Sequence, residues 1–426
     1  MNLPYEPSRL PVPAPSSLIR RLGPGLITGA ADDDPSGIAT YSQVGAQFGF
    51  GLAWTMLFSL PFMIIIQEIS GRIGCVTARG IADNLRRHYH PGLVRLVVLL
   101  LLVANVINLG ADLGAMGAAL QLLLGGNARL YTVAFGIVCV VAEIFISYAL
   151  YSGFLKWLTI SLFTYVAVVF AVHVPWRQAL LATAVPHLSF NHEQAMALVA
   201  VLGTTISPYL FFWQSALEVE ERRRGGGLPL ALTPREARPQ FRRIRIDTVV
   251  GMGVSNLIAI CIIYATAATL HATGITNIQT SSQAAEALRP IAGELTFVVF
   301  AAGIIGTGLL AVPVLAGSGA YALSEAFKWR EGLDRRLLQA KSFYATIAVS
   351  TMAGAALNFT PLDPVKALYW SAVVNGVLAA PVMAVMMLVA SNPRIMGRLT
   401  LSRTMRLGGW LATLVMAGAS IGFFVL

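Results

Sequence analysis

Long apolar stretches separated by short polar segments run through most of the chain. A helix rises about 1.5 Å per residue, so about 20 apolar residues are enough to cross a bilayer. Such stretches cover residues 22–48, 51–74, 93–124, 131–150, 153–175, 194–219, 246–270, 296–326, 341–359, 365–390 and 407–425. None shows the short alternating pattern of barrel strands. The pattern therefore predicts an all-α integral membrane protein with eleven transmembrane helices.

The composition agrees with a membrane protein of a single domain. The 426 residues are 56% hydrophobic and 12% charged, whereas soluble domains carry about 25% charged residues. Residues 1–21 are polar and rich in proline, lack the apolar core of a signal peptide, and are predicted to be a cytoplasmic tail. Residues 22–426 are predicted to form one transmembrane domain, with one repeat over about 22–175, a second over about 194–390 and an extra helix over about 407–425.

The distribution of basic residues predicts the orientation in the membrane. With the N-terminus inside, all but four of the 30 Lys and Arg residues fall in cytoplasmic segments. This is the bias that cytoplasmic loops show, and with eleven spans it places the C-terminus outside. The net charge of +10 is explained in the same way and does not indicate nucleic acid. We expect a multi-pass protein of the cell membrane whose partner is the lipid bilayer, with no obligate protein partner.

Two spans are interrupted at corresponding places. Span 1 contains "GAADDDPSGIAT" (Gly29 to Thr40), and span 6 contains "GTTISPY" (Gly203 to Tyr209). Proline and glycine break a helix and leave backbone groups without partners in the bilayer. Spans 1 and 6 are each the first of five. Matching interruptions in two halves indicate an inverted-repeat secondary transporter with its substrate between the breaks.

The residues at these breaks favour a cation. A charged side chain at the bilayer centre costs roughly 2.5–3.5 kcal/mol, so acids there are expected to be functional. Carboxylate, hydroxyl and carbonyl oxygens suit Mg²⁺, Mn²⁺ or Ca²⁺, while Na⁺, a proton or an organic cation stays open. No P-loop and no hydrolase motif occurs in the chain, so we expect neither an enzyme nor a cofactor. The cation is the cargo.

At this point the sequence resembles a known family, the NRAMP divalent-metal transporters. The resemblance rests on "GPG" at Gly23–Gly25, on Asp34-Pro35-Ser36-Gly37, on Gln67–Ala82 and on Gly203–Leu217. It implies a LeuT-like fold of two inverted five-helix repeats. It also implies a metal bound by a motif Asp, a motif Asn, a backbone carbonyl of span 6 and a Met of span 6.

The departures from the family pattern change the predicted metal site. Asp34 matches the Asp and Thr204 matches the carbonyl donor, but Gly37 replaces the Asn and Ser207 replaces the Met. The resemblance therefore implies a site at these four residues, with Asp33 beside them. Without the soft thioether, the site resembles that of the NRAMP-related magnesium transporters. The predicted cargo is Mg²⁺, Mn²⁺ or both.

The departures also bear on proton coupling. Proton-coupled members carry an Asp-x-x-Glu pair on the third helix and a His in the sixth. Here Asn108, Ala111 and Tyr209 stand at those positions, and Asp112 is one residue away. These three cannot relay a proton near neutral pH, so we predict transport without tight proton coupling. A proton-coupled Mn²⁺/Fe²⁺ transporter and an organic-cation or amino-acid carrier of the same fold are the alternatives.

Six further polar residues are predicted to line the pathway or to support the ligands: Asp32, Asp112, Asn108, Tyr209, Glu68 and Asn375. Glu68 is either an acid of the cytoplasmic vestibule or the ion-pair partner of Arg72 four residues on. For Asp112 the alternative is a polar contact between helices. Asn375 could face the site from span 10.

Overall fold

The fold is entirely helical over the part of the chain that the computed structural model describes, residues 28–29, 31–146, 163–189, 191–224, 226–333, 335–361 and 363–426. The α-helices, in chain order, are α1 Pro35–Phe48, α2 Trp54–Thr77, α3 Ile81–His88, α4 Pro91–Leu124, α5 Ala128–Phe145, α6 Phe163–Ala171, α7 Trp176–Ala184, α8 His192–Thr205, α9 Pro208–Arg224, α10 Ala237–Thr269, α11 Ser281–Glu286, α12 Arg289–Ala292, α13 Thr296–Phe327, α14 Lys341–Leu357, α15 Pro364–Ser391, α16 Pro393–Met396 and α17 Arg403–Val425. Single 3₁₀ turns occur at Pro234–Glu236, His271–Thr273, Gly293–Leu295, Leu337–Gln339 and Gly397–Leu399.

Most of the predicted spans correspond to these helices. In the described residues, eight helical stretches are long and apolar enough to cross a membrane, and they match predicted spans 2, 3, 4, 6, 7, 8, 10 and 11. Span 9 corresponds to α14, which has 17 residues. The predicted tail, the "GPG" segment and parts of spans 1, 4 and 5 lie outside the described residues. The prediction of an all-helical membrane protein is therefore confirmed there, and the count of eleven stays a prediction.

Helix α4 is the central element of the bundle and packs against α5, α13, α14 and α15. Small residues allow these close approaches. A Cβ atom at Gly110 would lie 2.7 Å from the carbonyl oxygen of Gly354 on α14, and one at Gly114 would overlap the side chain of Asn358. Close backbone contact through small residues is how membrane helices gain packing energy without a hydrophobic driving force. Another face of α4 packs against α1.

One end of the bundle is closed by ion pairs around two buried glutamates, Glu68 and Glu218, and we call it the basic end. Glu68 of α2 pairs with Arg72 on the same helix and with Arg245 of α10. Arg243 of α10 pairs with Glu218 and Glu221 of α9. These contacts link α2, α9 and α10, and they hold that end of the bundle together.

The opposite end of the bundle is open and contains cavities. One of about 630 Å³ is lined by Gln43, Glu193, Thr276 and Tyr369 among others. The Gln43 side chain ties the loop at residues 276–278 to α1, because its amide donates to the carbonyl of Thr276 and accepts from the amide of Ile278. Below this cavity a chamber of only about 20 Å³ is lined by apolar side chains that include Ile38 and Leu368. The bundle is thus open at one end and narrow towards its centre.

Candidate metal-binding site

The break in span 1 is built around Asp34. Residues 33 and 34 are not helical, and α1 begins directly afterwards at Pro35. Proline suits the first helical position because no backbone donor is needed there. The Asp34 carboxylate caps the helix, since its Oδ1 atom accepts a hydrogen bond of 2.6 Å from the Gly37 amide. One carboxylate oxygen therefore caps the helix, and the other, Oδ2, faces the interior.

The break in span 6 has the same form. Helix α8 ends at Thr205, and α9 begins at Pro208 after two residues that are not helical. The hydroxyl of Ser207 lies 2.6 Å from the carbonyl oxygen of Gly203 and 2.9 Å from that of Thr204, to which it can donate. Ser207 and Thr204 are therefore adjacent, and the Ser207 hydroxyl covers carbonyl groups that the break exposes.

The second carboxylate oxygen of Asp34, Oδ2, links span 1 to spans 3 and 6. This atom accepts a hydrogen bond of 3.1 Å from the side-chain amide of Asn108 on α4 and one of 3.3 Å from the hydroxyl of Tyr209 on α9. The same Tyr209 hydroxyl lies 3.2 Å from the carbonyl oxygen of Ala31. All of these side chains are buried. The structure thus brings Asp34, Asn108 and Tyr209 together between the two breaks.

Asp112 lies one helical turn beyond Asn108, on the same side of α4. It is fully buried, and it is close enough to Asp34 and to the backbone of Ser36 to interact with both electrostatically. Neither of its carboxylate oxygens accepts a hydrogen bond of regular geometry from the described residues, and neither does the side-chain oxygen of Asn108. These oxygens are therefore available to a ligand.

Helix α15 packs behind both breaks. A Cβ atom at Gly203 would overlap the backbone of Ala372 and Gly376. Asn375 is the neighbour of Gly376 and is buried, and its side-chain oxygen has no hydrogen-bond partner in the described part of the chain. On the other break, the Ser36 hydroxyl donates over 3.1 Å to the carbonyl of Leu368. The close backbone contact fixes the position of each break against α15.

Asp32 and Asp33 face a different helix from Asp34. The hydroxyl of Ser255 on α10 lies 2.7 Å from Oδ2 of Asp32 and 3.1 Å from Oδ1 of Asp33. The predicted acid triplet is therefore divided between two environments. Sequence reasoning missed Ser255, because a single serine in an apolar span gives no signal of which helix it faces.

Gly37 and Glu68 do not offer side chains to this cluster. A Cβ atom at Gly37 would lie 3.2 Å from the Asp32 carbonyl oxygen and 3.4 Å from Oδ1 of Asp34, so the position is tightly enclosed. Gly37 contributes its amide to Asp34 instead. Glu68 lies at the basic end in its ion pairs with Arg72 and Arg245.

The donor set around Asp34 is mixed rather than a cluster of one ligand type. No group of three or more His, Cys, Asp or Glu side chains that could hold a metal ion occurs in the described ranges. The atoms brought together are carboxylate, amide, hydroxyl and carbonyl oxygens, which are hard donors. Such a set can bind a hard cation or the water molecules around it.

Comparisons with known proteins agree with this architecture. The profile of the Nramp family, described as natural resistance-associated macrophage protein-like, matches residues 25–426. A divalent metal cation transporter MntH of Klebsiella pneumoniae is 26% identical over 400 residues, which cover 91% of this chain and 90% of that protein. That name describes the Klebsiella protein, a relative that aligns with nearly the whole of this chain.

Solved structures show the same fold. The Eremococcus coleocola manganese transporter, in complex with an aromatic bis-isothiourea substituted compound, superposes with a TM-score of 0.73 at 16% identity, covering 98% of this chain and 89% of that one. Mhp1, a nucleobase-cation-symport-1 family transporter, superposes with a TM-score of 0.53 at 16% identity, covering 96% and 94%. At these identities the likeness concerns the fold alone.

Proposed function

Because this chain belongs to the Nramp family, we propose that it is a secondary transporter that moves divalent metal cations across the membrane. It is not an enzyme, and the metal is its cargo and not a cofactor. The observation that carries the proposal is the Asp34 carboxylate. It is buried between two broken helices, and Asn108 and Tyr209 donate hydrogen bonds to its Oδ2 atom. Secondary transporters of this kind bind substrate and ions at discontinuous helices, and an acid buried within the membrane marks such a site.

The donor atoms favour Mg²⁺ or Mn²⁺ as the cargo. Asp34 provides a carboxylate, Thr204 a backbone carbonyl and Ser207 a hydroxyl, with Asp33 adding negative charge nearby. No sulfur stands at the position of Ser207, so the preference for softer transition metals is reduced. Mg²⁺ loses its waters reluctantly and is often bound with several of them retained. The hydroxyl and amide groups around Asp34 can hydrogen-bond to those waters.

We propose that transport is not tightly coupled to protons. Tyr209 and Asn108 both contact the Oδ2 atom of Asp34, and neither exchanges a proton near neutral pH. The membrane potential supplies a driving force instead, about 2.3 kcal/mol per charge for each 100 mV. A divalent cation gains about twice that on moving to the negative side.

The proposed arrangement in the membrane has eleven spans in two inverted repeats plus one helix, with the N-terminus in the cytoplasm and the C-terminus outside. The positive-inside bias supports it, since it puts the basic end on the cytoplasmic side. The cavity beside Gln43 and Glu193 then opens outwards. The ion pairs of Arg243 and Glu68 close the inner side, which corresponds to an outward-facing state of an alternating-access cycle.

Uptake into proteoliposomes tests the proposed function. Purified protein should carry Mg²⁺ or Mn²⁺ into vesicles with an inside-negative potential, and a pH dye inside should report no stoichiometric proton entry. Asp34→Asn should abolish uptake because it removes the central charge at nearly constant volume. Glu143→Gln is the matched control, since Glu143 is also a buried acid but lies on α5. Absence of Mg²⁺ and Mn²⁺ uptake by the unmodified protein would contradict the proposed function, and uptake that persists in Asp34→Asn would contradict the role of Asp34. Proton entry would favour the proton-coupled alternative.

A further inference from the structure

One face of α4 is directed at the start of α1. Asn108 binds Asp34 directly. One to two turns further on, Ala115 lines a small chamber together with Ile38, and Met116 and Pro35 both lie against Gly308 of α13. Asp112 lies between these contacts at helical spacing, so its side chain belongs to the same face. The position of Asp112 beside Asp34 therefore follows from the packing of the two helices.

The oxygens on this face are buried and lack regular hydrogen-bond partners. Both carboxylate oxygens of Asp112 and the side-chain oxygen of Asn108 accept no hydrogen bond of regular geometry from the described residues. Buried polar atoms without such partners are rare in native proteins, and a bound ion or water molecule is one of the explanations for them. Because the oxygens of Asp112 and Asn108 lie beside the Oδ2 atom of Asp34, they add to the donor atoms that Asp34 provides.

We propose that Asp112 supplies the second carboxylate of the cation site, so that a divalent cation is held between Asp34 of span 1 and Asp112 of span 3. This inference rests on the proposed function and names a further residue that determines affinity and selectivity. Two carboxylates balance the charge of a divalent ion. The Asn108 oxygen adds a neutral hard donor between them, and a carboxylate on this side can accept hydrogen bonds from waters that Mg²⁺ retains.

Asp112 also adds a charged ligand to the neutral ones that Thr204 and Ser207 are proposed to supply. Gly37 offers no side chain, and the Ser207 hydroxyl is directed at carbonyl groups of its own helix break. The negative charge that these positions lack is placed instead on α4. A monovalent cation would leave two carboxylates only half neutralised, so this arrangement selects for a charge of two.

The test replaces Asp112 by asparagine, which keeps the volume and removes the charge. In proteoliposomes, Asp112→Asn should raise the KM for Mg²⁺ by about ten- to a hundredfold, the range found when supporting ligands of metal sites are removed. The maximal rate should change much less. Glu143→Gln alters another buried acid, on α5, whose oxygens likewise lack regular hydrogen-bond partners among the described residues, and it should leave the KM unchanged.

A second variant moves the charge by one turn. In Asn108→Asp/Asp112→Asn the carboxylate occupies the other position that faces Asp34, and the KM should recover at least partly. A merely structural role of Asp112 would not give this rescue. If the single variant is poorly folded by thermal unfolding, the double variant decides: a folded protein whose KM is not recovered contradicts the inference.

The outcomes separate the two proposals. If Asp34→Asn abolishes uptake but Asp112→Asn has a normal KM, the inference is wrong and the proposed function stands. If the unmodified protein carries neither Mg²⁺ nor Mn²⁺, the proposed function itself is wrong, and if Asp34→Asn transports normally, Asp34 is not part of the site and the inference falls with it. A raised KM in Asp112→Asn, with rescue by the double variant and no effect of Glu143→Gln, supports both.

Discussion

At the scale of single residues, two hydroxyl side chains stand at the break in span 6, where the family resemblance implies a Met ligand and a His. The Ser207 hydroxyl lies within hydrogen-bonding distance of the Gly203 and Thr204 carbonyls. The Tyr209 hydroxyl donates to Asp34. Hydroxyl groups bind hydrated hard cations but give little preference for transition metals. The choice of metal should therefore respond to a change at Ser207.

Ser207→Met is expected to shift selectivity towards Mn²⁺. A thioether at the break of span 6 adds a soft ligand to the proposed site, and the ratio of Mn²⁺ to Mg²⁺ uptake should rise on the order of tenfold, equivalent to about 1.4 kcal/mol. Competition uptake with both metals present measures this ratio. Ser207→Ala is the control, because it removes the hydroxyl without adding sulfur. An unchanged ratio in the Met variant would show that residue 207 does not contact the metal.

At the scale of elements, the breaks are held in place by close contacts between helix backbones. Gly203 of α8 lies directly against the backbone of Ala372 and Gly376 on α15. Gly376 in turn lies against the carbonyl of Val199 on α8. Only hydrogen fits between these surfaces, so the two helices approach each other more closely than side chains would allow.

Gly203→Ala should destabilise the protein although alanine favours helix. The added methyl group would overlap backbone atoms that cannot move away, and overpacking of this kind costs about 1–3 kcal/mol. Gly253→Ala on α10 is the matched control, since a Cβ atom there meets nothing within 4 Å. It should be neutral or stabilising by about 0.5–1 kcal/mol. Thermal unfolding in detergent compares the two, and equal midpoints would show that α8 and α15 are not so closely packed.

At the scale of the whole molecule, acids and bases from several elements meet at the basic end. Glu331 lies in the loop between α13 and α14. The charged groups that act on it are Asp83 of α3, Glu220 and Arg223 of α9, Glu325 of α13 and Arg335 of its own loop. Burial, aided by Asp83 and Glu220 and opposed by the two arginines, raises the pKa of Glu331 to about 7. Because the pKa of Glu331 differs between the folded and unfolded protein, the stability of the protein depends on pH.

Glu331 should make the folded protein more stable at acidic pH. Its pKa is about 4.5 when unfolded and about 7 when folded, so between these values the folded state holds the extra proton. The stabilisation is fully present below the lower value and is lost as the pH rises through about 7. Thermal unfolding at pH 5 and pH 8 measures the difference. Glu331→Gln should reduce that difference, and an equal pH dependence in both proteins would contradict the shift.

Much of the architecture follows from the sequence alone. Apolar stretches of the right length predict membrane helices, because an uninterrupted helix satisfies its own backbone hydrogen bonds in lipid. Proline is favoured at the first position of a helix, so Pro35 and Pro208, each beside polar residues, predict where α1 and α9 begin. The resemblance at these breaks predicted the family, which the match over residues 25–426 confirms. These are local properties, and they need no knowledge of neighbouring helices.

Only the tertiary structure decided which polar side chains face each other. Periodicity puts Asp112 on the same side of α4 as Asn108, but it does not say that α1 lies opposite. Likewise, Asp32 and Asp33 are adjacent to Asp34 in the chain, yet they face Ser255 on α10. Consecutive residues at a helix break point in different directions, and their partners come from helices more than 70 residues away. The packing of α1 between α4 and α10 therefore determines the composition of the site.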